Sequence, residues 1–131
     1  MKKAITTSKI FALIDSYLPP LLWAGMIFFL SNQSSLASFE SSPLDFIFKK
    51  AAHIGVYAVL FFLINRALYK RHRKIYNHKQ KWLLPVFICL LYAVSDEIHQ
   101  SYIPGRFATL RDIGYDGLGV LIAFMQKYRY I

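Results

Sequence analysis

The chain has 131 residues, which is room for one domain. Hydrophobic residues make up 56% of it and charged residues 18%, whereas soluble domains contain about 45–50% and about 25% respectively. This composition excludes a disordered segment and a coiled coil, and the single cysteine, Cys89, excludes a disulfide within the chain. A net charge of +9 with a mean hydropathy of +0.35 indicates a small, basic integral membrane protein.

Four apolar segments follow one another along the chain, and each approaches the length of a membrane span. A helix needs about 20 mostly apolar residues to cross the hydrocarbon core. The first segment, 17–38, reaches this length without a charge, and the others reach it only with polar residues at one end. The sequence therefore predicts an all-α fold, a single domain over residues 1–131 with transmembrane spans at about 11–31, 50–69, 82–102 and 109–128.

The distribution of basic residues predicts how these spans are oriented. Loops rich in lysine and arginine stay in the cytoplasm. Twelve of the 16 basic residues fall in the two termini and in the loop between the second and third spans. The other four fall at the opposite ends of the spans: Lys49, Lys50, Arg106 and Arg111. We therefore expect a four-helix membrane bundle with both termini in the cytoplasm.

The basic loop, 66–81, also fits the pattern of a nucleic-acid-binding segment, because basic residues alternate there with an aromatic residue and histidines. Anionic lipid attracts such a cluster equally well, by about 1 kcal/mol per basic residue near the surface. The retention of lysine- and arginine-rich loops in the cytoplasm is enough to explain why this loop is positively charged. The predicted partners are therefore membrane lipids and not nucleic acid, while the sequence leaves the oligomeric state open.

Nearly all other ionisable residues lie at the opposite end of the predicted bundle. Ionisable groups at membrane depth are costly and normally face the bundle interior or a wet cavity. Asp96, His99 and Gln100 lie one helical turn apart, so they share a face of the third span. The sequence predicts one ligand-binding pocket on the outer side of the membrane, formed by Ser31, Gln33, Lys50, His53, Asp96, Glu97, His99, Gln100, Arg106, Asp112 and Asp116.

Two kinds of function fit such a pocket, and a purely structural polar network is the alternative to both. In a binding protein, Arg106 and Lys50 would attract an anionic head group. In a small membrane enzyme the catalytic candidates are His99 or His53 as acid or base, with Asp96 orienting the imidazole. The sequence has no metal-spaced motif such as H-E-x-x-H, so we predict neither a metal site nor a cofactor.

Three glycines mark the predicted fourth span: Gly114, Gly117 and Gly119. Small residues allow helices in a membrane bundle to approach one another closely. We expect these glycines to face neighbouring helices.

One segment resembles a known family. Residues 95–106, S-D-E-I-H-Q-S-Y-I-P-G-R, with Asp112, Asp116 and Gly119 after them, are similar to the signature of VanZ-like membrane proteins. The resemblance runs from about residue 22 to about residue 124, and the family often has Asn where this chain has Asp116. Upstream residues that also fit the pattern are Ser31, Gln33, Lys50, His53 and Tyr57.

The resemblance implies a multi-pass protein of the bacterial cytoplasmic membrane. It also implies a link to teicoplanin resistance, because the family is named after an accessory protein of glycopeptide-resistance clusters. Glycopeptides meet their cell-wall precursor target on the outer side of that membrane. We therefore expect a cell-envelope protein that binds a lipid-linked or anionic ligand such as a lipid-linked cell-wall precursor. The alternative is a small membrane enzyme acting on the head group of such a ligand.

Overall fold

The computed structural model describes residues 2–33, 43–72, 74 and 78–129. Within these ranges the chain forms helices and no strand, which confirms the all-α prediction. The helices are α1 (Lys2–Ser31), α2 (Pro43–His72), α3 (His78–Ser101) and α4 (Leu110–Lys127). The second helix begins earlier than the predicted span because Pro43 suits a first helical position and Asp45 favours the positive end of the helix dipole.

Within the described residues, three segments are long and apolar enough to cross a membrane: Thr7–Ser31, Pro43–His72 and Leu83–Ser101. The fourth helix has 18 residues but does not meet this standard. The reason is its content of charge, because Arg111, Asp112, Asp116 and Lys127 all belong to it. Three of the four predicted spans thus have the composition of a membrane helix, and the fourth stays a prediction.

The first helix continues through two prolines, and its neighbour compensates for one of them. Proline has no N–H, so Pro19 cannot donate to the carbonyl of Asp15 four residues earlier. Arg66 of α2 donates to that carbonyl instead, at 3.2 Å, and contacts the Asp15 carboxylate at 3.3 Å. Lys70 lies 2.5 Å from the other carboxylate oxygen. These contacts join the N-terminal half of α1 to the C-terminal part of α2.

The core lies where α2 packs against the other helices, and it combines large and small side chains. The large buried residues are Tyr57, Leu60 and Phe61 of α2, and small residues such as Ala93 and Ala123 face them. Two side chains of this layer also bind backbone carbonyls of neighbouring helices: Trp23 Nε1 donates to Val56 at 2.8 Å, and the Tyr92 hydroxyl donates to Ala24 at 2.5 Å. Packing and hydrogen bonds therefore set the positions of α1, α2 and α3 together.

One of the three glycines of α4 is required by the packing. A Cβ atom on Gly119 would lie 2.2 Å from the carbonyl oxygen of Ile54, so the backbones of α2 and α4 touch there. A Cβ on Gly117 would make an ordinary contact at 3.5 Å with Leu90, and one on Gly114 would meet nothing within 4 Å. The predicted close approach therefore depends on Gly119 alone.

The antiparallel order of the helices gives the bundle two chemically different ends. The C-terminal ends of α1 and α3 meet the N-terminal ends of α2 and α4 at what we call the polar end, marked by Ser31, Lys50, Gln100 and Asp112. The opposite, basic end is marked by Asp15, Arg66, Lys70 and His72. Its side chains also join helices, since the Tyr17 hydroxyl lies 2.8 Å from His72 Nε2.

Candidate ligand-binding site

Two charged pairs join α2 to α4 at the polar end. Lys50 donates to the carboxylate of Asp112, and His53 Nδ1 lies 2.7 Å from Asp116 Oδ1. Lys50 and His53 lie about one turn apart, as do Asp112 and Asp116, so the two helices present matching faces. Both carboxylates are buried, and the side chain of Asp116 has no exposed surface. Each buried acid of α4 therefore has a basic partner on α2.

The start of α4 is fixed by a residue that the sequence analysis did not single out. Thr109 caps the helix, because its hydroxyl accepts from the Asp112 backbone N–H at 3.2 Å. The backbone N–H of Thr109 in turn donates to Glu97 Oε2 of α3 at 3.0 Å. A threonine three residues before an acid is a recognisable N-cap pattern, so the sequence held a signal for this contact.

The turn before α4 positions Arg106. Gly105 has a φ of 81°, a left-handed conformation that favours glycine. The Arg106 backbone N–H then donates to the carbonyl of Ile103 at 3.1 Å. This turn directs the Arg106 side chain toward the space between α1, α2 and α3, where it lines a cavity.

The cavity has a volume of about 400 Å³ and lies at the polar end of the bundle. Its polar lining residues come from every helix and from the loop before α4. Its apolar lining residues are Ile27, Leu30, Phe48, Ala52, Val56 and Phe107. Of the eleven residues predicted to share a pocket, seven line this cavity: Ser31, Lys50, His53, Asp96, Gln100, Arg106 and Asp112. The sequence did not predict that Phe48 and Phe107 line the cavity, because aromatic residues are common throughout membrane proteins.

Hydrogen bonds connect three polar lining residues of the cavity across α1 and α3. Gln100 Nε2 lies 3.1 Å from Asp96 Oδ2 and 3.2 Å from the Ser31 hydroxyl, and all three side chains are buried. The i, i+4 spacing of Asp96 and Gln100 therefore places them on one face, as their sequence positions predicted.

Four of the predicted residues do not line the cavity. The ring of His99 packs on Phe28 of α1 with 4.5 Å between ring centroids, and this contact holds the ring outside the cavity. Gln33 contacts the carbonyl of Phe29 at 3.5 Å. Glu97 and Asp116 are buried between α3, α2 and α4, where their carboxylates and a ring nitrogen of His53 lie within 4.8 Å of one another.

Several buried polar atoms at this end have no hydrogen-bond partner among the described residues. In the cavity wall these are Arg106 Nε, Asp96 Oδ1 and the Tyr57 hydroxyl. Outside the wall they are Glu97 Oε1, His99 Nε2 and Asp116 Oδ2. Unsatisfied buried polar groups are uncommon because each costs about 1–3 kcal/mol. Their concentration at one end of the bundle marks this end as a candidate site for ligands.

The cations of the cavity differ in whether they already have a carboxylate partner. Lys49 lies 2.7 Å from Asp45, and Lys50 binds Asp112. Arg106 makes no ion pair with any described residue, and its Nε atom is buried. Among the described cations of the wall, the guanidinium group of Arg106 is therefore available to an anion.

The structure thus defines a helical bundle of membrane-span proportions with a polar cavity at one end. The sequence profile of the VanZ/LLP1 family matches residues 16–128, which is most of the chain. The chain therefore belongs to the VanZ/LLP1 family, and the family resemblance predicted from the sequence is confirmed. Comparisons with curated proteins and with solved structures find no match. Family membership and apolar helices together fit a membrane-associated protein.

Proposed function

We propose that this protein is a multi-pass protein of the bacterial cytoplasmic membrane whose cavity binds an amphipathic envelope ligand with an anionic head group. The observation that carries the proposal is Arg106, a cavity-lining cation whose buried Nε has no hydrogen-bond partner among the described residues. A guanidinium group binds phosphate or carboxylate through two parallel hydrogen bonds. An anionic head group would satisfy this donor and balance its charge.

The mixed lining of the cavity supports a ligand with a head and a tail. Arg106 and Lys50 contribute cations, whereas Phe48, Phe107 and several aliphatic residues contribute apolar surface. Ligand sites are typically apolar with a few polar groups that fix orientation. A lipid-linked cell-wall precursor has this division between an apolar chain and an anionic head. Binding such a precursor would connect the protein to glycopeptide resistance, including resistance to teicoplanin.

The proposal places the cavity on the extracytoplasmic side, with both termini in the cytoplasm and α4 as a fourth span. The asymmetry of basic residues supports this orientation, because the basic end carries the lysine- and arginine-rich loop. A Lys74→Cys variant tests it, in a Cys89→Ser background that leaves one thiol. We expect no labelling of intact cells by an impermeant thiol reagent and full labelling after lysis. Equal labelling before and after lysis would contradict the orientation.

Substitution of Arg106 tests the ligand itself. Lysine keeps the charge but lacks the planar fork, so it cannot replace arginine at a two-point contact. We expect phosphatidylglycerol to raise the melting temperature of the wild type in detergent, and to have a much smaller effect on Arg106→Lys and Arg106→Ala. Without lipid, all three proteins should melt at similar temperatures, because Arg106 makes no ion pair with the described part of the chain.

The matched control for this series is Arg111→Ala, since Arg111 is exposed on α4 and does not line the cavity. That variant should respond to phosphatidylglycerol as the wild type does. Equal responses of wild type, Arg106→Lys and Arg106→Ala would remove Arg106 from the site. If the rise in melting temperature depends only on total positive charge, it should be as small in Arg111→Ala as in Arg106→Ala. That result would also refute the proposal.

The second candidate is a small membrane enzyme that acts on the head group of the same kind of ligand. The observation that favours it is the contact between His53 Nδ1 and buried Asp116, which orients an imidazole that lines the cavity. This geometry makes His53 a better acid or base than His99, whose ring packs on Phe28. Conversion of a lipid-linked precursor by the wild type, lost in His53→Gln, would establish this activity.

A further inference from the structure

Three ionisable side chains from three helices converge beside the cavity. His53 lies on α2, Glu97 on α3 and Asp116 on α4. A ring nitrogen of the histidine and one oxygen of each carboxylate all lie within 4.8 Å of one another. Glu97 is 3% exposed and Asp116 is 0% exposed, so both carboxylates are almost fully removed from solvent.

The charge of these two acids is incompletely balanced. His53 is the described base that contacts Asp116, and the contact that Glu97 makes is with the Thr109 backbone N–H. Lys50 binds Asp112 instead, and Arg106 forms no ion pair with either acid. The second oxygens, Glu97 Oε1 and Asp116 Oδ2, are buried with no partner among the described residues. Adjacent buried carboxylates with one imidazole therefore need a further positive charge.

We infer that His53, Glu97 and Asp116 bind one divalent transition-metal ion such as Zn²⁺ or Mn²⁺. An imidazole with two carboxylates is a donor set that suits these ions, whereas Mg²⁺ and Ca²⁺ prefer oxygen ligands throughout. Metal–ligand bonds of about 2.0–2.2 Å require the ligand atoms to be roughly 3 Å apart. The three ligand atoms lie within 4.8 Å of one another, so metal binding requires them to move closer by at most about 2 Å.

The position of the site gives the ion access to the cavity. His53 lines the cavity, and Glu97 and Asp116 lie behind it. The sequence predicted no metal because its three ligands come from separate helices and form no local motif. The inference does not require the proposed anionic ligand, since Arg106, on which that proposal depends, is not one of the metal ligands.

The alternative is that Glu97 and Asp116 neutralise one another by sharing a proton. To distinguish a bound metal from a shared proton, the full-length protein in detergent is treated with a chelator and then titrated with metal ions. We expect Zn²⁺ and Mn²⁺ to bind with one ion per chain and to raise the melting temperature, with Mg²⁺ much weaker. Failure of the wild type to bind either ion at this stoichiometry would overturn the inference and leave the shared proton.

Isosteric variants identify the ligands. Glu97 makes no ion pair with any described residue, so Glu97→Gln should fold at least as stably as the metal-free wild type. Asp116→Asn also loses the charged contact with His53, so it should fold with lower stability. Each should weaken metal binding by at least about 100-fold, because even outer-shell partners contribute 10–100-fold. Asp45→Asn and His99→Gln are the matched controls, a buried acid and a histidine at the same end, and both should bind like the wild type.

Wild-type affinity in folded Glu97→Gln and Asp116→Asn would overturn the inference. A spectroscopic measurement tests it without any substitution. Electron paramagnetic resonance of Mn²⁺ bound to the wild type should show one nitrogen coupled to the ion, from His53. A spectrum with oxygen ligands only would contradict the proposed donor set.

Discussion

Gly119→Ala should lower the free energy of unfolding by about 3 kcal/mol, at the upper end of the usual cost of overpacking. The added Cβ would lie 2.2 Å from the carbonyl oxygen of Ile54. A backbone carbonyl inside a helix cannot rotate aside as a flexible side chain can, so α2 and α4 must separate. This contact is central to the site, because Lys50 and His53 meet Asp112 and Asp116 across the same helix pair. Thermal melting in detergent measures the loss.

Gly114→Ala is the matched control on the same helix. A Cβ at this position would meet nothing within 4 Å, and alanine forms helix more readily than glycine by about 1 kcal/mol. We expect the melting temperature of this variant to equal or exceed that of the wild type. If Gly119→Ala and Gly114→Ala have the same melting temperature, the close approach of α2 and α4 does not exist in the protein.

The second large effect is expected for Lys50→Met, which removes the cation but keeps most of the side-chain volume. Asp112 would remain as a buried carboxylate without its ion-pair partner, with a side chain only 10% exposed. Removing one member of a buried pair costs about 3–5 kcal/mol, and the 20% exposure of the Lys50 side chain places this change toward the low end. Addition of Asp112→Asn to Lys50→Met should recover much of the stability.

The corresponding pair at the basic end provides the comparison. Lys70 contacts Asp15 at 2.5 Å, but the two side chains are 47% and 56% exposed. Solvent screens such a pair, so Lys70→Met should change the melting temperature little. If Lys50→Met and Lys70→Met lower the melting temperature equally, burial at the polar end does not strengthen the pair of Lys50 with Asp112.

Much of the architecture follows from local patterns. Apolar length predicted the helices, and the placement of the basic residues predicted that the two ends of the bundle would differ in chemistry. The spacing of Asp96 and Gln100 was also enough to predict that their side chains lie together, because residues four apart share a helix face. The fourth span could not be settled in this way, because α4 combines a short length with several charges.

Other features depend on how the helices pack. No local signal distinguishes Gly119 from Gly114, because only the position of Ile54 on another helix makes the first one necessary. The same holds for the ring of His99, which Phe28 of α1 holds outside the cavity. The approach of His53 to Glu97 and Asp116 likewise follows from the arrangement of three helices. Thr109 differs from these, because its capping pattern was present in the sequence.

Native mass spectrometry of the gently extracted protein tests most directly whether the cavity holds an anionic amphiphile. Ala52 lines the cavity and Ala51 does not, although both are exposed on α2. Ala52→Trp should therefore fill the cavity without altering any charge, and Ala51→Trp is its control. We expect one anionic lipid or lipid-linked precursor per chain on the wild type and on Ala51→Trp, and none on Ala52→Trp. Equal retention by all three proteins, or retention of uncharged lipid only, would contradict the proposed ligand.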